Sequence, residues 1–262
     1  MILVDAHAHL DLPEFKDDLP QVVERARTAG VVAIISNGVH HPSNVRVLEL
    51  ARQFPIIKPA LGLYPLNAPN VRVHEEYHDD YDRSHGTSVE ETLAHIRQHA
   101  NDIVAVGEVG IDLKFSDDEE RQVGNFINVL RLCRTIKKPP IIHSRKAEKQ
   151  VLDILEDAKH THAVLHCFSG SKKLIKRAAD NKLMLTVTSN ANRLEHFRML
   201  AGMVPITQLL TETDAPYLCP IPGERNEPAH IRFALEAIAK AKSMTPEETA
   251  RNMYMNYQKT FL

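Results

Sequence analysis

One pattern constrains this chain more than any other. Short apolar runs of strand length alternate with amphipathic runs of helix length, eight times over. The strand-like runs are Ile2 to Leu10, Val31 to Ile35, Ile56 to Leu61, Ile103 to Val106, Pro140 to His143, Ala163 to His166, Leu183 to Val187 and Gln208 to Thr211. Apolar strands separated by helices form a parallel sheet that is covered by those helices. Eight such units in 262 residues predict an α/β chain closed into a single (β/α)8 barrel, one domain over residues 1–262. A doubly wound open sheet is the alternative, but no glycine-rich phosphate turn follows the first strand.

Punctuation between the runs fits this reading. Asp17-Asp18 is placed to cap a helix through Leu19, Val22, Val23 and Ala26 that stops at Gly30. Ser43 opens a second helix, and Ser88-Val89-Glu90-Glu91 is a capping box that starts a third. Further helices are expected over Asp117 to Ile136, Asn192 to Met203 and Pro228 to Ala241, and Thr245-Pro246-Glu247-Glu248 caps the last. Residues 66–87, polar and carrying His74, His78 and His85, read as a long loop, more readily a solvated insertion than a lid.

Bulk properties narrow the function classes. A net charge of -2 gives no global basic field for nucleic acid and leaves only a local patch. Cys133, Cys167 and Cys219 lack paired short spacing, which argues against a disulfide framework or a cysteine zinc knuckle and fits a reducing, cytoplasmic setting. No signal-peptide pattern opens the chain and no apolar run reaches spanning length, so no membrane association is expected.

The chemistry lies at the ends of the strands. His7 and His9 are two apart, so an extended strand points both to one face. Glu108 follows the fourth strand run, His143 ends the fifth, His166 ends the sixth and Asp214 follows the eighth. In a barrel these positions share the C-terminal rim, where active sites form. Four imidazoles and two carboxylates suit two divalent ions without thiolates, so Mg2+, Mn2+ or Zn2+. His7 and His9 are placed to hold one ion, His143 and His166 the other, with Glu108 bridging and Asp214 completing the first site. Two such ions would clamp the oxygens of a displacement. Asp214 is the candidate to orient or deprotonate water. Glu212, on the same face, is a candidate support for the ligands. His40 and His41 follow strand two without ligand-like spacing.

Six blocks in order carry a resemblance. They are Asp5-Ala-His7-Ala-His9-Leu10-Asp11, Gly107-Glu108-Val-Gly110-Ile-Asp112, Ile142-His143-Ser144-Arg145, His166-Cys167-Phe168-Ser169-Gly170, Glu212-Thr213-Asp214-Ala-Pro216-Tyr217-Leu218 and Arg225-Asn226-Glu227-Pro228. Together they resemble the TatD family of metal-dependent deoxyribonucleases. The resemblance implies a TIM barrel of the amidohydrolase superfamily and a divalent-metal phosphodiesterase, a 3′-5′ exonuclease on single-stranded DNA, with RNA as the alternative strand. It also implies His7, His9, Glu108, His143, His166 and Asp214 as metal ligands and Arg145 as a phosphate contact. Arg225 and Asn226 are implied as substrate-side or loop-fixing residues. Phe168 either stacks on a base or packs its own loop.

The chain departs from the family at one place. Gly62-Leu63-Tyr64-Pro65 stands where the family shows Gly-x-His-Pro. Tyr64 can donate a hydrogen bond to substrate but carries no proton charge near neutral pH. The departure keeps two other readings open: hydrolysis of a small ester, amide or phosphoester by the same cage, and a metal-loaded scaffold without turnover.

Overall fold

A computed structural model describes residues 1–77 and 87–262. Eight parallel strands pair in sequence order: β1 (Leu3–Ala8), β2 (Val31–Asn37), β3 (Ile57–Leu63), β4 (Ala105–Gly110), β5 (Pro140–His143), β6 (Val164–Leu165), β7 (Met184–Thr188) and β8 (Leu209–Glu212). The helices alternate with them: α1 (Leu19–Thr28), α2 (His41–Gln53), α3 (Val89–Gln98), α4 (Glu119–Ile136), α5 (Glu148–Asp157), α6 (Lys172–Asp180), α7 (Glu195–Met203) and α8 (Ile231–Lys242), with α9 (Pro246–Phe261) appended. This is the expected (β/α)8 barrel. Its strands are buried on both faces, which is why they read as continuous apolar runs rather than alternating ones. No helix among the described residues is long and apolar enough to cross a membrane.

Side chains and irregular backbone draw β1 and β8 together. Thr211 Oγ1 donates to the Val4 carbonyl at 2.7 Å, and the Asp214 N–H donates to the His7 carbonyl at 2.9 Å. Buried Asp5 accepts the Thr213 N–H at 2.9 Å and its hydroxyl at 2.5 Å. These bonds satisfy backbone groups at the seam and fix the turn that carries Asp214.

Several boundaries differ from the sequence reading, each for a local reason. The fourth strand runs over Ala105–Gly110, not Ile103 to Val106, so Glu108 sits inside it. Its glycines look like a turn, but tight packing requires them: a methyl on Gly107 would meet Ile141, and one on Gly110, at φ +141°, would meet the His143 carbonyl, while one on Gly62 of β3 would meet the Glu108 backbone. Helix α2 begins before Ser43 because His40 caps it, its Nδ1 accepting the Ser43 N–H at 3.1 Å. Asp18 precedes α1 but makes no capping bond, since its carboxylate is taken by Arg225 and Arg25. Ser189–Asn192 and Pro228–His230 are separate 3-10 turns before α7 and α8. Both predicted capping boxes form, at Ser88 and Thr245.

The first part of the long loop is packed rather than solvated. Val71 and Ala68 bury against Leu63 and Val89, and the His74 N–H donates to the Phe115 carbonyl at 2.8 Å. His78 and His85 lie outside the described residues.

Gly110→Ala is expected to lower stability by about 1–3 kcal/mol, the usual cost of overpacking. Equilibrium urea unfolding checks this, and an unchanged midpoint would contradict the close approach of β4 and β5.

Candidate active site

The strand ends bring His7, His9, Glu108, His143, His166 and Asp214 into one cluster under a cavity of about 500 Å³. Glu108, buried on β4, is its centre. Its Oε2 lies 3.2 Å from His9 Nε2 and 3.5 Å from His7 Nε2. Its Oε1 lies 2.9 Å from His143 Nδ1 and 3.8 Å from His166 Nε2. One oxygen therefore serves each histidine pair. Asp214 Oδ1 closes the first pair, 3.5 Å from His7 Nε2 and 3.6 Å from His9 Nε2. Asp214 adopts the left-handed region at φ 59°, which aims its side chain into the cluster.

The donor chemistry fits cations. His9 Nδ1 faces the Asn37 carbonyl at 3.1 Å and must donate there, so Nε2 is the nitrogen that can give up its proton to an ion. That Nε2 lies 3.1 Å from Nε2 of His7, whose Nδ1 is buried without a partner. Imidazole nitrogens that close to one another and to two carboxylates are a donor set a divalent ion can take up. His7, His9 and Asp214 form one group able to hold an ion, and Glu108, His143 and His166 another. The ring of His7 stacks on that of His166 at 3.7 Å, so the two groups touch.

Electrostatics of the metal-free cluster follow from burial and charge pairing. Burial opposes ionisation of Glu108, but hydrogen bonds from His143, His7 and His9 hold it well below the usual carboxylate range. Burial also opposes the imidazolium forms of His9 and His166. Glu108 nevertheless raises His9 to about 9, and Glu212 with Asp214 raises His166 to about 10. Burial and the neighbouring His166 push His7 well below its ordinary value. Burial lifts Asp214 to about 6.

The remaining sequence candidates separate. Arg145, partly exposed, and Tyr64 line the cavity. The Tyr64 hydroxyl donates to Asp112 at 3.2 Å and lies 3.4 Å from His143 Nε2. Arg225 and Asn226 are not among the described lining residues and make the loop-fixing contacts. Arg225 pairs with Asp18 and lies over the Phe15 ring, and Asn226 is fully buried, donating to the carbonyls of Thr213 and Tyr217. Phe168 is completely buried, so it packs its loop and stacks on no base. His40 caps α2, and His41 contacts His95 away from the cavity.

The sequence reading gave Asp112 and Asp5 no role. Strand parity carries a signal for Asp112: it follows Glu108 and Gly110 at steps of two. Asp5 precedes His7 by the same step, and its bonds to Thr213 are what only the fold reveals.

Comparison with known proteins places the chain in a family. The sequence model of the family described as TatD related DNase matches residues 4–262. The chain is 32% identical over 274 residues to YabD of Bacillus subtilis, an uncharacterized metal-dependent hydrolase, covering 99% of each chain. It is 28% identical over 268 residues to the human deoxyribonuclease TATDN3, covering 99% of this chain and 94% of the relative. Among solved structures, the TatD homolog YjjV of Escherichia coli K12 superposes with a TM-score of 0.84 at 28% identity, over 99% of this chain and 97% of that one.

A ligand nitrogen must shed its proton to bind an ion, so metal uptake at pH 7 is expected to release protons from His9 and His166. Affinity is expected to fall as pH drops. A pH indicator in weakly buffered solution reads the release on adding Zn2+. Uptake without release would place the ion elsewhere.

Proposed function

Because the chain belongs to the TatD-related DNase family of metal-dependent hydrolases, we propose that it hydrolyses phosphodiester bonds of DNA, trimming single strands from the 3′ end. The observation that carries this reading is the division of Glu108 between two histidine pairs beneath a cavity whose wall carries Arg145. The ligand set is His7, His9, Glu108, His143, His166 and Asp214, for two divalent ions of the Mg2+, Mn2+ or Zn2+ class. Such ions would supply Lewis acidity toward a phosphate and acidify water.

The chain's own groups take the other roles. Asp214, raised to about 6 by burial, is poised to orient water and accept its proton near neutral pH. The Arg145 guanidinium, 3.9 Å from Asp112 and partly exposed, is free to turn and grip phosphate oxygens. The Tyr64 hydroxyl, held well above its ordinary pKa by burial and by Asp112, stays a neutral donor.

A second reading rests on the cavity wall. Arg145 is the single Lys or Arg among the described lining residues, and Glu76 faces the same space. One guanidinium beside a carboxylate matches one phosphate group better than a polyanionic strand. Hydrolysis of a small phosphoester by the same cage is the resulting alternative.

End-labelled single-stranded DNA, with Mg2+ or Mn2+ and with EDTA, tests both readings beside bis-p-nitrophenyl phosphate. Metal-dependent shortening from the 3′ end is expected, lost with EDTA and reduced about 10²–10⁴-fold in Asp214→Ala. Turnover of the small diester with untouched DNA would favour the second reading. Arg145→Ala is expected to raise KM about tenfold or more while changing kcat less, as loss of a charged hydrogen bond to bound substrate does. Steady-state kinetics with either substrate read the split, and an unchanged KM would remove Arg145 from phosphate binding.

A further inference from the structure

Two buried carboxylates outside the ligand set each touch one of its histidines. Asp112 is fully buried, its Oδ2 2.8 Å from His143 Nε2 and its Oδ1 accepting the Lys114 backbone N–H at 2.9 Å. Glu212 is equally buried, its Oε2 2.9 Å from His166 Nδ1 and its Oε1 accepting the Cys167 backbone N–H at 3.1 Å. In both cases a main-chain N–H pins one oxygen and the other faces an imidazole.

The two contacts use opposite ring nitrogens. An ionised carboxylate only accepts, so the nitrogen facing it must carry the proton. Glu108 faces the opposite nitrogens in the same way, so an ion that displaces those protons finds its lone pair on Nδ1 of His143 and on Nε2 of His166. Both of those nitrogens face the same oxygen, Glu108 Oε1, at 2.9 and 3.8 Å. Had both rings used the same tautomer, one lone pair would point away from the cluster.

We infer that Asp112 and Glu212 are positioning residues that impose opposite tautomers on His143 and His166, so that both lone pairs meet at one divalent ion beside Glu108. The inference rests on the metal reading of this site and assigns to it two residues that hold no ion themselves.

The main-chain anchors make the roles separable with amides. A side-chain amide has one accepting oxygen. In Asp112→Asn that oxygen is claimed by the Lys114 N–H, so the NH2 turns toward His143 and the Tyr64 oxygen. His143 must then accept at Nε2 and carry its proton on Nδ1, where the ion belongs. The reverse orientation sets two N–H donors against each other at Lys114. At Glu212 the constraint is looser, because the Cys167 N–H also reaches Thr186 Oγ1 at 3.0 Å. The amide of Glu212→Gln can therefore turn its oxygen to His166 and leave that ligand in place. The Tyr64 hydroxyl donates to the same Asp112 oxygen at 3.2 Å without fixing the ring, so Tyr64→Phe leaves the tautomer alone.

The experiment measures Zn2+ affinity of the wild type, Asp112→Asn, Glu212→Gln and Tyr64→Phe by competition with a chromophoric chelator. Thermal unfolding of each metal-free protein serves as the check on folding. Two-bond 1H–15N imidazole spectra of the zinc-loaded wild type are recorded alongside, with the rings assigned from His143→Gln and His166→Gln. Asp112→Asn is expected to weaken one ion about tenfold or more, Glu212→Gln less, and Tyr64→Phe by under about twofold. The spectra are expected to place the proton on Nε2 of His143 and on Nδ1 of His166. Unchanged affinity in a folded Asp112→Asn, or the same tautomer in both rings, would overturn the inference. If Asp112→Asn does not fold, the wild-type tautomers decide. A wild type that takes up no Zn2+ would overturn the metal reading and the inference with it, a result distinct from uptake that Asp112→Asn leaves unchanged.

Discussion

The rest of the structure is arranged around one shared carboxylate. Glu108 gives an oxygen to each of two histidine pairs. A buried carboxylate is costly unless it is paired or bound to a cation, which is why four imidazoles converge on it. To stand at that point it must project from the strand itself, not from a loop. The strand must in turn lie tight between its neighbours, so Gly62 and Gly110 have no side chain where Glu108 and His143 pass. These close approaches and the chemical centre are thus one requirement.

A second requirement operates across the seam between β1 and β8. Asp214 has to reach the His7–His9 pair from a turn with a left-handed residue, and Asp5 and the His7 carbonyl hold that turn in place. Further out, Arg225 with Asp18 and Arg25 with Glu227 tie the loop after β8 to α1. Exposed ion pairs of this kind contribute little stability. Their consequence is geometric, because the same loop carries buried Asn226, which bonds the Thr213 and Tyr217 carbonyls beside Asp214.

The cavity above the cluster is unevenly equipped. Its base is dense with ligand atoms, while the described part of its wall offers one guanidinium and aromatic surface from Tyr64, Tyr77 and Tyr217. On the proposed reading, the base sets bond cleavage and the wall sets substrate choice. A metal-dependent hydrolase of this family can therefore keep its chemistry while its preference shifts with a few wall residues, Tyr64 foremost among them.

The barrel and the gathering of the strand-end histidines, Glu108 and Asp214 were legible in the sequence. Strand count follows from apolar runs that are buried on both faces, and ligand placement follows from the rule that parallel strands end on one rim. Capping boxes at Ser88 and Thr245 were legible because their bonds are local. Three features were decided only by tertiary structure. Glycines of the Gly107–Gly110 segment belong to a strand because Asn37 of β2 and Ile141 and His143 of β5 approach too closely for a side chain, a contact with no local trace. Arg225 and Asn226 stabilise a loop instead of facing the cavity: barrel closure brings Asp18, 207 residues away, to Arg225, and the fold of the loop after β8 brings the Thr213 carbonyl to Asn226. The ring nitrogens that face Glu108 are likewise set by Asp112, Asn37 and Glu212, which lie on other strands or loops. Sequence periodicity encodes which face a residue takes. Which atom of that residue carries a proton depends on partners supplied by distant segments, and only the closed barrel brings them together.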